Sequence, residues 1–103
     1  MLFGNKEARE NKKRALALHG MTIRYVTTRQ GEDELVLGRA GVVSIRSNEI
    51  IVSSSKKTVF RSPVKGLRVS YLMSGDGAIL CGADTENGGI VREITVHFVD
   101  YIK

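Results

Sequence analysis

The 103-residue sequence has one cysteine, one proline and no tryptophan, and it lacks any long apolar run. Cys81 has no second cysteine for an internal disulfide, which favours a reducing compartment. No apolar stretch approaches the roughly 20 residues that cross a bilayer. The first six residues become polar too soon for a secretory signal. We therefore expect a cytoplasmic protein without a membrane partner.

The motifs that mark common active sites are also missing. There is no GxxxxGK(S/T) phosphate loop, and no GxGxxG lies between a strand and a helix. Cys81, His19 and His97 lack the paired ligand spacing of structural zinc sites. We expect no metal, no cofactor and no catalytic residue, and therefore a protein that is not an enzyme. One enzymatic reading stays open, because a Cys81–His97 pair would supply a nucleophile and its base if two strands brought them together.

What is present is the composition of an ordinary globular domain. Hydrophobic residues make up 42% of the chain and charged residues 26%, a balance that is too apolar for a disordered protein. The length suits one domain with a modest core. We predict a basic N-terminal helix over residues 1–20 and a single small β domain over residues 21–103.

The N-terminal region has the polarity of a helix. Glu10 and Arg14 form an i,i+4 pair in the favourable order, Asn5 is an acceptable N-cap, and Gly20 suits the residue that closes a helix. The apolar stripe is narrow and comprises Ala8, Ala15 and Leu18. This pattern predicts a helix that packs only lightly on the rest of the protein.

From Met21 onward the apolar residues alternate with a period of two, and many of them are β-branched. Turn signals every eight to twelve residues separate six to eight short strands. Gly38 and Gly41 predict a bulge or bend, Ser47–Asn48 a tight turn and Asn87–Gly88 a two-residue hairpin. The fold class is thus mainly β, an N-terminal helix followed by a small antiparallel β-barrel or sandwich.

This layout of a helix followed by short strands resembles small barrels of the SH3-like, Sm-like and OB types. No motif selects one of them. The RxxxR and (D/N)xSxxG signatures of PilZ-type cyclic-dinucleotide modules are absent. Because fold likeness alone does not determine function, the functional prediction has to come from the charges.

Positive charge is concentrated in the middle of the chain. Residues 39–68 hold seven Lys and Arg against one acidic residue, Glu49. A surface on which these cations meet would attract polyanions, with an affinity that falls as salt rises, and the basic helix would extend it. The candidate polyanion- or nucleic-acid-binding residues are Arg46, Lys56, Lys57, Arg61, Lys65 and Arg68.

Two functional hypotheses follow from these features. The first is a non-enzymatic binding module whose basic face meets a polyanion such as RNA. Three Tyr and three Phe give this hypothesis little base-stacking surface, and a net charge of +5 also suits solubility alone. The second is a protein-interaction or assembly subunit, a homo-oligomer that pairs through an exposed edge of the long last strand, Ile90 to Ile102.

Overall fold

The structure is a computed structural model that describes residues 5–102, with side chains from Lys6 onward. One helix precedes seven strands, and a single 3₁₀ turn at Thr85–Asn87 separates the last two. The elements are α1 Asn5–Leu16, β1 Thr22–Gln30, β2 Asp33–Arg46, β3 Glu49–Ser54, β4 Lys57–Pro63, β5 Arg68–Tyr71, β6 Gly77–Asp84 and β7 Ile90–Phe98. Residues 1–4 and 103, which the predicted helix and β domain include, lie outside the described range, as does the side chain of the predicted cap Asn5.

The seven strands form one antiparallel sheet in the order β4-β3-β2-β1-β7-β6-β5. The mainly β class and the N-terminal helix are therefore confirmed. The expected barrel or sandwich is not, because the outer strands β4 and β5 do not pair with each other and the sheet stays open. Local alternation predicts strands, whereas closure depends on contacts between strands that are distant in sequence.

The side chains of Asp84 and Thr85 link the end of β6 to β4, where no backbone pairing joins the two strands. The Arg61 backbone N–H of β4 donates to Asp84 Oδ1 of β6 at 3.2 Å, and the Thr85 hydroxyl donates to the Arg61 carbonyl at 3.3 Å. A Cβ at Gly82 would lie 2.6 Å from Ser62 Oγ, so this glycine permits the close approach of β6 to β4. The strands therefore meet along a seam without pairing.

The core lies on one face of the sheet and follows the predicted alternation. Val43 is fully buried while its neighbour Val42 is exposed, and Ile94, Val96 and Phe98 of β7 face inward together. The largest buried side chains are Phe60, Phe98, Leu18, Ile23, Ile50, Leu67, Leu80 and Ile94. Helix α1 contributes Ala15 to this core, and Leu18, just after the helix, is buried beside it.

Helix α1 ends earlier than predicted and is held more firmly than predicted. It ends at Leu16, and Gly20, at φ +85°, closes the turns that follow. Asn11, only 6% exposed, accepts a hydrogen bond from the Val69 N–H of β5 at 2.8 Å. Tyr71 Oη donates to the Arg14 carbonyl at 2.9 Å. The outer edge of β5 is therefore covered by the helix.

Two turn predictions had different outcomes. Ser47 and Asn48 both have positive φ, 49° and 62°, as a tight turn between β2 and β3 requires. The two-residue hairpin at Asn87–Gly88 is wrong, because residues 85–89 connect β6 to β7 through the 3₁₀ turn. The Asp84 carboxylate accepts hydrogen bonds from Glu86 N and Asn87 Nδ2, which stabilises this longer connection.

The last strand lies inside the sheet, so the exposed edge that the assembly hypothesis requires is limited to the stretch of this strand that β1 leaves unpaired. It ends at Phe98 and lies between β1 and β6. β6 pairs with residues 90–97 of β7, whereas β1 pairs only with residues 94–98 of β7. The stretch of β7 that lacks β1 as a partner strand is thus residues 90–93, where Thr28 Oγ1 still donates to the Glu93 carbonyl.

Candidate functional site

The structure places the six predicted cations at different points along β4 and its neighbouring segments. Lys56 and Lys57 lie at the β3–β4 turn, whereas Lys65 lies beyond Pro63, at the opposite end of β4. Six residues of extended chain, about 20 Å at ~3.3 Å per residue, separate the two ends of this strand. Arg46 ends β2 opposite Glu49, at the same end as Lys65. The basic middle of the sequence therefore divides into two groups.

Arg61 lies between these groups and is already engaged within the chain. Its Nε is 3.5 Å from Glu86 Oε1, and its backbone N–H and C=O bind Asp84 and Thr85. A guanidinium beside a carboxylate adds little net charge to the surface. Among the six predicted residues, Arg61 therefore has a structural role that sequence reasoning did not assign.

A groove of ≈ 630 Å³ brings cations together from two segments that are far apart in sequence. We call it the α1 groove. Its walls are Ala8, Arg9 and Lys12 of α1, residues 47–49 of the β2–β3 turn, and residues 63–67 of the β4–β5 loop. Lys65 therefore faces the same concave surface as two cations of the helix, and Glu49 is the one acidic residue in the lining.

The cations of the α1 groove form no ion pair in the described chain, although Glu49 lines the same groove. Among the described residues, ion pairs within 4.0 Å form at Arg14, Arg24, Arg61 and Arg92, and not at Arg9, Lys12 or Lys65. All three groove cations are exposed. Three cations and one carboxylate give this lining a net positive charge, which favours an anionic ligand.

A second cavity, of ≈ 470 Å³, lies along the seam between β4 and β6, and we call it the seam pocket. Ser62 and Pro63 line one side, and residues 81–83 with Val91 line the other. Lys65, Gly66 and Arg68 complete the lining. Pro63, Lys65 and Gly66 also line the α1 groove, so the two cavities are adjacent and share one lysine.

The carboxylate of Asp84 holds one end of the seam together. It is fully buried and accepts hydrogen bonds from Arg61 N, Glu86 N, Asn87 Nδ2 and Arg92 Nη1, the last at 3.0 Å. Burial by itself would raise the pKa of this carboxyl, but the four donors outweigh it and hold the pKa below its ordinary value. Asp84 is therefore ionised and structural.

The structure does not bring Cys81 and His97 together as a nucleophile and its base. Cys81 pairs with Glu93 across β6 and β7, whereas His97 pairs with Gly77, four residues away along β6. That spacing separates the two side chains by roughly 13 Å along the strand. His97 instead stacks on Tyr25, with ring centroids 4.2 Å apart, and burial lowers the pKa of its imidazole.

The sequence prediction named some of the residues that line the α1 groove and the seam pocket, and it omitted others. It assigned Lys65 and Arg68 and anticipated a contribution from the helix, but it did not identify the pocket around Cys81. It also missed Asn11, although residues 8, 11, 15 and 18 follow one helical stripe. A polar residue within an apolar stripe is a signal for a buried hydrogen bond.

Searches for related proteins and for known kinds of site assign no function to this chain. No protein-family model matches it, and no curated protein or solved structure is significantly similar to it. Over residues 5–102, His, Cys, Asp and Glu side chains form no group of three that is arranged to hold a metal ion. No helix in that range has the length and apolarity needed to cross a membrane.

Proposed function

We propose that this protein is a non-enzymatic polyanion-binding module whose contact surface is the α1 groove. The observation that carries the proposal is that Arg9, Lys12 and Lys65 line one concave surface, which includes a single acidic residue, Glu49, and that none of the three forms an ion pair within 4.0 Å in the described chain. A chain of phosphates would contact the three cations in succession and release the counterions bound to it.

The position of α1 supports this proposal. Asn11 anchors the helix to β5 by a buried hydrogen bond, which places Arg9 and Lys12 opposite the β4–β5 loop. The groove walls are thus set before any ligand arrives, which lowers the ordering cost of binding. A scatter of solubilising lysines would need no such anchor.

Binding of a labelled oligo-uridine over a salt series tests the proposal. With three or four phosphate contacts, a plot of log affinity against log salt should have a slope of roughly −2 to −3, since each contact to a single strand contributes about −0.7. The variant Lys12→Glu/Lys65→Glu should bind at least about tenfold more weakly at low salt and with a shallower slope.

The chain offers a matched control at the β3–β4 turn. Lys56→Glu/Lys57→Glu makes the same change in net charge, about 20 Å from the groove by strand length. We expect this variant to retain most of its affinity. Equal losses in the two variants would show that net charge alone drives binding, and an absence of binding at low salt would refute the polyanion proposal.

A further inference from the structure

The seam pocket differs in chemistry from the groove that it adjoins. Its cations are Lys65 and Arg68, but Cys81, Ala83 and Val91 present uncharged surface next to them. Phosphate alone gains nothing from contact with such surface. A ligand that carries a compact uncharged group beside each phosphate would use both parts of the lining.

The backbone of β6 adds hydrogen-bonding groups to this pocket. β5 begins at Arg68, the partner of Cys81, so Ala83 lies beyond the end of the β5 ladder. The Gly77 carbonyl accepts a hydrogen bond from the Leu72 N–H, so the backbone groups of Gly77 face the β5 side of β6. The direction of these groups alternates from residue to residue along a strand, and Ala83 is an even number of residues from Gly77. The N–H and C=O of Ala83 are therefore directed to the same side, which is the seam. In the described chain these two groups have no partner on β5, and they lie beside a cavity.

From this placement we infer that the bound polyanion is single-stranded RNA and that the seam pocket holds one of its bases. The inference rests on the proposed function, because Lys65 borders both cavities and would contact the phosphate next to that base. An adjacent donor and acceptor suit the edge of a nucleobase, and unstacked bases are what proteins read in single-stranded RNA. The volume of ≈ 470 Å³ lies within the range of small-ligand pockets.

Such a pocket also compensates for the shortage of stacking residues. Tyr71 and Tyr101 are exposed, at 37% and 69%, but neither lines the seam pocket. Base recognition here would depend on the uncharged lining and on the Ala83 backbone, and an exposed aromatic platform of the kind that many single-strand binders use would not be needed.

Cys81 reports directly on occupancy of the seam pocket, because it lines the pocket, is half-buried and is the one cysteine in the sequence. The rate of its alkylation by iodoacetamide is measured with the protein saturated by oligo-uridine or by inorganic polyphosphate. We expect oligo-uridine to slow the reaction several-fold and polyphosphate to leave it close to the rate of the free protein.

The outcomes separate the two proposals. Binding of both polymers with equal alkylation rates would overturn the base pocket and leave the polyanion-binding groove standing. Equal protection by an abasic phosphodiester of the same length would do the same, since it has no base to insert. Failure of both polymers to bind at low salt would overturn both proposals.

A variant that fills the pocket provides a second test. Ala83→Leu adds three carbons to the lining and keeps every cation, so oligo-uridine should bind about tenfold more weakly while polyphosphate binds as before. Thr58→Leu, on β4 outside the pocket, is the control and should leave both affinities unchanged. Unchanged oligo-uridine affinity in a folded Ala83→Leu protein, verified by circular dichroism, would refute the inference.

Discussion

At the scale of single residues, Asp84 shows how one side chain can replace a missing backbone ladder. β4 and β6 do not pair, yet the Arg61 N–H at the edge of β4 has an acceptor because Asp84 points across the seam. The same carboxylate binds Arg92 and caps the 3₁₀ turn through Glu86. A buried charge is tolerable only when it is this fully hydrogen-bonded.

Replacing Asp84 by Asn should therefore destabilise the protein. The amide offers one acceptor oxygen where the carboxylate offered two, and its NH₂ group faces donors, so buried donors lose partners at a cost of about 1–3 kcal/mol. The free energy of unfolding in urea measures the loss. Asp100→Asn, at an exposed carboxylate, is the control, and an equal effect of the two substitutions would contradict this role for Asp84.

At the scale of elements, α1 both covers the β5 edge and forms one wall of the α1 groove. Its attachment combines the buried apolar side chains of Ala15 and Leu18 with the Asn11–Val69 hydrogen bond. Arg9 and Lys12 reach the groove only while the helix stays in this position. Under the proposed function, stability and ligand binding would be coupled through this one short helix.

The substitution Asn11→Leu tests that coupling. It leaves the Val69 N–H without its acceptor, which should cost about 1–3 kcal/mol and speed amide hydrogen exchange at Val69. Oligo-uridine affinity should fall as well, although no groove cation has changed. Lys13→Ala, at an exposed position of the same helix, should alter neither stability nor exchange, and normal RNA binding by Asn11→Leu would separate the helix anchor from the site.

Within β2, a close approach of two backbones depends on a glycine. A Cβ at Gly41 would lie 1.8 Å from the Ser53 carbonyl oxygen, which cannot move without breaking the β2–β3 pairing. We expect Gly41→Ala to lower the free energy of unfolding by about 3 kcal/mol or more. Ser44→Ala, further along the same strand, should change it far less, and urea unfolding of the two variants compares them.

At the scale of the whole molecule, stability should depend on pH through groups whose ionisation the fold changes. Burial holds the pKa of His97 below its ordinary value, with smaller effects from Glu34, Asp76 and Arg24. The folded protein therefore binds a proton at His97 less readily than the unfolded chain does. The contribution of His97 to the free energy of unfolding is therefore complete above the ordinary histidine pKa of about 6.5. It declines as the pH falls from there to the lower pKa of His97 in the folded protein.

Urea unfolding at a series of pH values checks this expectation. The wild-type free energy of unfolding should fall between pH 7.5 and pH 5.5, and His97→Gln should flatten that decline whatever its effect at neutral pH. Below about pH 4, Asp84 becomes protonated in the unfolded chain before it does in the folded protein, because the fold lowers its pKa. The wild type and His97→Gln should both lose stability in this range, and Asp84→Asn should lose less. An unchanged slope in His97→Gln would contradict the assignment.

The sequence by itself determined the features that depend on neighbouring residues. Alternation predicted the strands. Gly38 and Gly41 predicted the irregularity of β2, whose register with β1 shifts between Val26 and Thr27. Glu10 and Arg14 form the expected ion pair at 3.1 Å. These patterns reflect a backbone period or a four-residue spacing, so they can be read from a short window.

Only the tertiary structure decided which cations share a surface. Strand length separates Lys56 and Lys57 from Lys65, and docking of α1 brings Arg9 and Lys12 beside it across more than 50 residues of sequence. The same long-range packing left the sheet open and created the seam pocket at Cys81. Contacts between distant segments depend on sheet order and register, which the local pattern of side chains does not encode.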